Sequence, residues 1–193
     1  MGLKDIDIQG EYRSDRCNLL QDFYIPCLEK AKVYDRAVGF FSSSSMASVA
    51  QGLTAFIRSG GRMRLVTSPK LSDEDIEAIT RGLQEREQII ERALVREFEQ
   101  DFEQIVKDRL ACLAWLLSQA VLDIKLAIPK KISSRGIYHE KLGIFLDSEH
   151  DYVAFTGSAN ESSSALIANF ECLDVFSSWD ERVQDRASNK VIS

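Results

Sequence analysis

Histidine is almost missing from this chain: 193 residues contain two, His139 and His150. The four cysteines, Cys17, Cys27, Cys112 and Cys172, are far apart and form no CxxC pair. Together these shortages leave no zinc-type ligand cluster to be drawn from the sequence. The scattered cysteines read as reduced, mostly core thiols of a cytoplasmic protein. No apolar run approaches the roughly 18 residues of a membrane-spanning helix. The start, Met1-Gly2-Leu3-Lys4-Asp5, lacks the apolar segment of a signal peptide. Ile6 stands where a myristoylation signal needs Ser or Thr. A basic excess is missing too. The net charge is −6, whereas proteins that hold nucleic acid without sequence preference usually carry a basic surface. No internal repeat is present, which excludes a solenoid.

What remains is an ordinary globular composition, 45% apolar and 28% charged, in a chain long enough for one cored domain. Charge is unevenly distributed. Acidic residues concentrate in 73–103, while Lys125, Lys130, Lys131, Arg135 and Lys141 cluster in a later stretch. A local basic patch is compatible with an acidic total, and so is a solvated loop with lysines.

Residues 1–18 read as a polar tail or a short edge strand. Residues 18–32 have helical spacing, with Pro26 placed to kink or restart the helix. A strand is predicted over 34–42. The serine run 42–45 then caps a helix over 46–59, which Gly60-Gly61 ends before a second strand over 62–67. This β–helix–β order predicts parallel pairing. Ser72 opens a capping box, and residues 84–120 are strongly helical, with Trp115 inside an apolar stretch expected to be buried or at an interface. Further strands are predicted over 122–128, 137–146, 152–156 and 169–176, with a helix from 179 onward. The open ending suggests a domain excised from a longer protein.

The chemistry concentrates in Tyr138-His139-Glu140-Lys141-Leu142-Gly143-Ile144-Phe145-Leu146-Asp147 and in Thr156-Gly157-Ser158-Ala159-Asn160. On a strand, residues i and i+2 share a face. His139 and Lys141 are therefore expected to point one way, and Leu142, Ile144 and Leu146 the other way into a core. Ser158 and Asn160 repeat the spacing. A base or nucleophile, a cation, a hydroxyl and an amide converging in this way would suit a phosphate. Arg36 and the serines at 42–45 are further candidates for its path, since parallel strands often end facing a ligand; a capping role alone suffices for the serines. His150 reads as a surface residue, and Trp115 and Trp179 as core or interface.

His139-x-Lys141, Asp147 and Gly157-Ser158-x-Asn160 resemble the HKD signature of the phospholipase D superfamily. That pattern usually leaves four residues between lysine and aspartate, whereas five intervene here, so Asp147 falls on the His139 face by parity. Glu171, eleven positions after Asn160, matches the acidic residue that nucleases of the superfamily tend to carry. The resemblance implies an α/β fold with a mixed, mostly parallel sheet flanked by helices, in one domain over 1–193 with a helical insertion at 72–120. It implies a metal-independent phosphodiesterase with no cofactor and His139 as nucleophile. Lys141 and Asn160 would hold the phosphate, Ser158 would donate to it, and Glu171 would fix the His139 tautomer or support a second histidine. Gly157 would keep the backbone open, and Asp147 would take part in substrate binding or cap the turn at Ser148. The pattern looks most similar to domains that precede superfamily 2 helicases or sit in restriction-type enzymes. A DNA endonuclease module is thus expected, with nucleic acid as partner and no membrane. With one motif per chain, a homodimer sharing one active site is expected as well. A non-catalytic docking domain and a lipid phosphodiesterase are the alternatives.

Overall fold

The computed structural model describes residues 2–39, 50–68, 115–117, 119–127, 138–158 and 170–192. The serine run at 42–45, Asn160 and nearly all of the 72–120 insertion lie outside the described residues.

Among the described residues, seven strands form one sheet. They are β1 (Glu11–Arg13), β2 (Val33–Val38), β3 (Arg62–Thr67), β4 (Leu122–Leu126), β5 (Lys141–Leu146), β6 (Tyr152–Gly157) and β7 (Cys172–Ser177). Their order across the sheet is β1-β7-β6-β5-β2-β3-β4. β2, β3 and β4 run parallel, as the β–helix–β order predicts. The other four pairings are antiparallel, so the sheet is mixed but not mostly parallel. For β5 and β6 the reason is local. β5 and β6 are joined by the turn through Ser148, Glu149 and His150, and so short a link returns the chain antiparallel. The expected edge strand near the N-terminus is β1, at the rim of the sheet.

Before β2, a wide π-helical turn (Leu20–Tyr24) runs into α1 (Ile25–Lys30). Pro26 follows directly on the π-helical turn, where a proline has no N–H to give to the carbonyls one turn back, and the helix changes type there, as the proline predicts. The described part of the next helix, α2 (Ala50–Arg58), lies against α1. Gly52 permits this, because a β-carbon there would stand 3.0 Å from Ile25 Cα and Leu28 Cβ. Gly60, at φ +78°, ends α2. Gly61 N–H reaches the Phe56 carbonyl at 2.9 Å and Gly60 N–H the Ile57 carbonyl at 3.0 Å, the two bonds of a Schellman motif.

The principal core lies on the face of the sheet that carries Tyr34, Leu65, Phe145, Phe155, Leu173 and Val175. Phe145 stacks on Tyr34 at 4.4 Å and on Phe155 at 5.6 Å, and Phe23 and Tyr24 close over them edge-on. The expectation that Leu142, Ile144 and Leu146 fill this core is thus reversed: Phe145, on the Lys141 face, does so. Parity predicted the two faces correctly but could not rank them, because both faces of β5 are covered. Gly143 makes room on the core side, where any side chain would run into the Phe155 ring.

On the opposite face lies α3 (Gln184–Ile192). Ala187 is buried there, Arg186 covers the Phe176 ring at 4.3 Å, and Tyr152 and Ser188 share a hydrogen bond of 2.8 Å. This helix starts later than expected because Asp180 holds residues 180–184 in turns, accepting from Arg182 N–H at 3.0 Å. Trp115, expected to be buried or at an interface, is 50% exposed, while Leu116 beside it is buried. Cys27 is buried, Cys17 and Cys172 are half-buried, and all three are free thiols. Among the described residues, no helix is long and apolar enough to cross a membrane.

Candidate active site

The site is built at one end of the sheet. β2 and β5 pair Val38 with Lys141, β5 and β6 pair Leu142 with Thr156, and β6 and β7 pair Gly157 with Leu173. Lys141, Gly157 and Leu173 therefore lie in one row, and His139, Ser158 and Glu171 sit at the same edge. β5 and β7 are two strand spacings apart, about 10 Å.

His139 precedes β5 on extended chain and is exposed. Its ring rests on Gly39, just past the end of β2. A β-carbon at Gly39 would stand 3.0 Å from His139 Cδ2. Lys141 opens β5 and is 9% exposed. Its Nζ lies 3.0 Å from His139 Nε2 and 3.3 Å from Nδ1. The two nitrogens flank one ring carbon. An ammonium this close to both would overlap that carbon if it lay in the ring plane, so it sits over the ring face. The in-plane directions of both nitrogens are left to other partners, one of which could be a phosphorus atom.

Arg36 lies below this pair, paired across β2–β5 with Gly143. It is 2% exposed, and its guanidinium covers the Phe155 ring at 5.0 Å. Arg36 thus supports the site from beneath. Burial first, and then the Arg36 charge, push the Lys141 ammonium below the usual lysine range, while the Glu171 charge pulls the other way.

Glu171 is buried just before β7. Its carboxylate accepts a hydrogen bond from the Ser158 hydroxyl, which in turn accepts the Cys172 N–H at 3.1 Å. A hydroxyl has one proton to give. The Ser158 proton expected to serve a phosphate is thus committed to Glu171. In the described structure Glu171 meets Ser158 and the field of Lys141, and its expected bond to His139 is not formed within the chain.

Two further expectations change. Asp147 is buried at the far end of β5, six residues and about 20 Å from Lys141. Its carboxylate accepts from the backbone N–H groups of Leu3 at 2.8 Å, Glu149 at 2.9 Å and Asp151 at 3.0 Å. Parity put it on the His139 face, but the strand carries it away from the site; of its two expected roles, the turn cap is the one the structure places. At Gly157, the room a side chain would need is taken by the Cys172 carbonyl of β7. This glycine lets β6 and β7 approach. His150 is an exposed turn residue with φ +67°, as read. The sequence reading missed Gly39 and Ser14. Gly39 had a weak signal, a glycine ending a strand. Ser14, which bonds the backbone of Glu171, had none.

No family model matches the chain, and no curated protein matches it. Solved structures do. NucT from Helicobacter pylori, a phospholipase D superfamily member, is similar with a TM-score of 0.53 at 16% identity, over 93% of this chain and 91% of that one. The chain has a phospholipase D-like fold. Two weaker likenesses lie below the level from which a fold can be argued. Nuc from Salmonella typhimurium, a phospholipase D family member, has a TM-score of 0.47 at 14% identity, over 93% of this chain and 89% of that one. Phosphatidylserine synthase from Haemophilus influenzae has 0.48 at 10% identity, over 89% of this phospholipase D-like chain and 35% of the synthase. At such identities the likeness concerns the fold and leaves the reaction to be argued from the site.

Proposed function

We propose that this phospholipase D-like domain is a metal-independent phosphodiesterase that cleaves nucleic acid, DNA in the first instance. The observation that carries the reading is the Lys141 ammonium lying 3.0 Å from an exposed imidazole, with the Glu171–Ser158 pair at the same sheet edge. A neutral imidazole nitrogen is available near pH 7 and needs no metal to activate it. That nitrogen of His139 attacks phosphorus, and the bond from phosphorus to the leaving oxygen breaks. Lys141, joined by Asn160 as the motif implies, neutralises charge on the non-bridging oxygens. Water then attacks the phosphohistidine and releases His139. Glu171 sustains the ammonium and holds Ser158.

The leaving oxygen needs a proton, and the attacking water must lose one. One motif per chain provides one histidine for both half-reactions. The proposal therefore includes a two-fold homodimer in which His139 of a second copy supplies the acid and then the base. Strict monomers that retain full activity, seen by light scattering at assay concentration, would rule this part out. A helicase or restriction region in the same polypeptide would deliver the DNA.

Plasmid nicking in EDTA tests the whole reading. The wild type nicks and His139→Ala does not; equal nicking by both proteins would mean that the activity is a contaminant. The net charge of −6 and the committed Ser158 hydroxyl favour one rival, a non-catalytic docking domain. Tight DNA binding by a wild type that never cleaves would select it.

A further inference from the structure

Glu171 is held from outside the motif. It precedes β7, so the ladder of β6 and β7 does not fix its peptide groups. Ser14 does. The Glu171 N–H donates to the Ser14 hydroxyl at 2.9 Å across 157 residues of sequence, and the Ser14 N–H donates to the Glu171 carbonyl at 3.0 Å. One residue thus engages the glutamate's N–H and its carbonyl together. The register of β1 on β7 arranges this: Glu11, Tyr12 and Arg13 oppose Asp174, Leu173 and Cys172, which brings Ser14 opposite Glu171. The segment carrying Ser14 is anchored along its length. The Gly10 carbonyl accepts from Val175 N–H at 2.9 Å, and Leu3 N–H donates to Asp147 at 2.8 Å. The N-terminal residues therefore run the length of the sheet, from the Asp147 turn to the site.

We propose that Ser14 is a positioning residue of the candidate site, fixing the backbone of Glu171 so that its carboxylate stays on Ser158 and near Lys141. It acts through Glu171. The inference rests on the phosphodiesterase reading for its kinetic consequence, but the Ser14–Glu171 link can be measured without it. A hydroxyl acceptor removed from a half-buried N–H leaves that group without its partner in the chain, and the peptide is then free to move. Threonine keeps the oxygen; alanine does not.

The test uses the full chain in EDTA with bis(p-nitrophenyl) phosphate, a diester without a base, together with amide hydrogen exchange at Glu171. Ser14→Ala is expected to lower kcat about tenfold with KM within about twofold, since only the reacting geometry is disturbed. Ser14→Thr is expected to restore most of the loss. Exchange at the Glu171 amide should be about tenfold faster in Ser14→Ala and unchanged at Val153 in the core. A folded Ser14→Ala with wild-type kcat overturns the proposal, and so does a loss that Ser14→Thr leaves in place. If alanine loosens β1 and prevents folding, Ser14→Cys keeps the volume, loses the good acceptor and carries the same expectations. Should wild type and His139→Ala prove equally inert on the diester, the phosphodiesterase reading fails by itself. The Ser14 link is then decided by the Glu171 exchange rate alone.

Discussion

The two ends of β5 carry residues of one motif on one face, and they are opposites in chemistry. At the Asp147 end, a buried carboxylate takes three backbone N–H groups at 2.8, 2.9 and 3.0 Å. Every partner has its counterpart, and nothing there is left to react. At the His139 end, an exposed imidazole lies under an ammonium that burial and the Arg36 charge both disfavour. The comparison separates a carboxylate that stabilises from a group of side chains kept in tension. Saturated hydrogen bonds identify the first, and neighbouring like charges identify the second.

The largest effects are expected at the two ends of this strand. His139→Ala is expected to lower diester cleavage by about 10³-fold or more, because the nucleophile is gone, while stability stays within about 0.5 kcal/mol, as for exposed sites generally. Asp147→Ala should do the reverse. It strands the buried N–H of Leu3 and the half-buried N–H groups of Glu149 and Asp151, and is expected to cost about 2 kcal/mol of folding stability, with activity per folded molecule kept. Urea denaturation beside a nicking assay measures both. An Asp147→Ala protein that is stable but inactive would erase the distinction.

Lys141 sharpens the comparison through pH. Its ammonium is held below the usual lysine range, so between its folded value and about 10.4 the unfolded chain binds more protons than the folded one. Stability linked to Lys141 therefore rises with pH through that window. Below it the buried charge is a standing cost, and Lys141→Met should recover that cost; the stability gap between the two proteins should narrow as pH rises toward 10. If the ammonium serves the reaction, the alkaline limb of kcat/KM falls below the lysine range, and Lys141→Arg moves that limb up or removes it. A limb unaffected by Lys141→Arg would assign it to another group. The smallest effect is expected at Gly39→Ala. A methyl there stands 3.0 Å from His139 Cδ2 and 3.0 Å from the Tyr138 carbonyl, so the ring and the chain that carries it must give by a few tenths of an ångström, for about a threefold loss of kcat and about 0.5 kcal/mol of stability.

Much of this was legible because strand parity is a local rule. The pairing of His139 with Lys141, the face shared by Glu171, Leu173 and Val175, and the β–helix–β start follow from spacing of one or two residues. Parity reports a face and says nothing of distance along it, which is why Asp147 looked like a neighbour of His139. It also cannot weigh two buried faces against each other, which is why Phe145 was missed as the core residue of β5. The direction of β6 on β5 follows from the short turn between them, whereas β2 on β5 and β1 on β7 pair across long stretches of sequence, and Ser14 depends on the last of these.

The chain's own order determined which residues carry the chemistry, which side of each strand they occupy and where the first helices stop, because those depend on neighbours in sequence. Tertiary structure alone decided which of them meet. Bringing Ser14 to Glu171, Gly39 to His139 and Arg36 beneath Lys141 requires strands distant in sequence to pair in one register. It also placed Asp147 among backbone N–H groups at the opposite end, because the length of a strand separates what its periodicity unites.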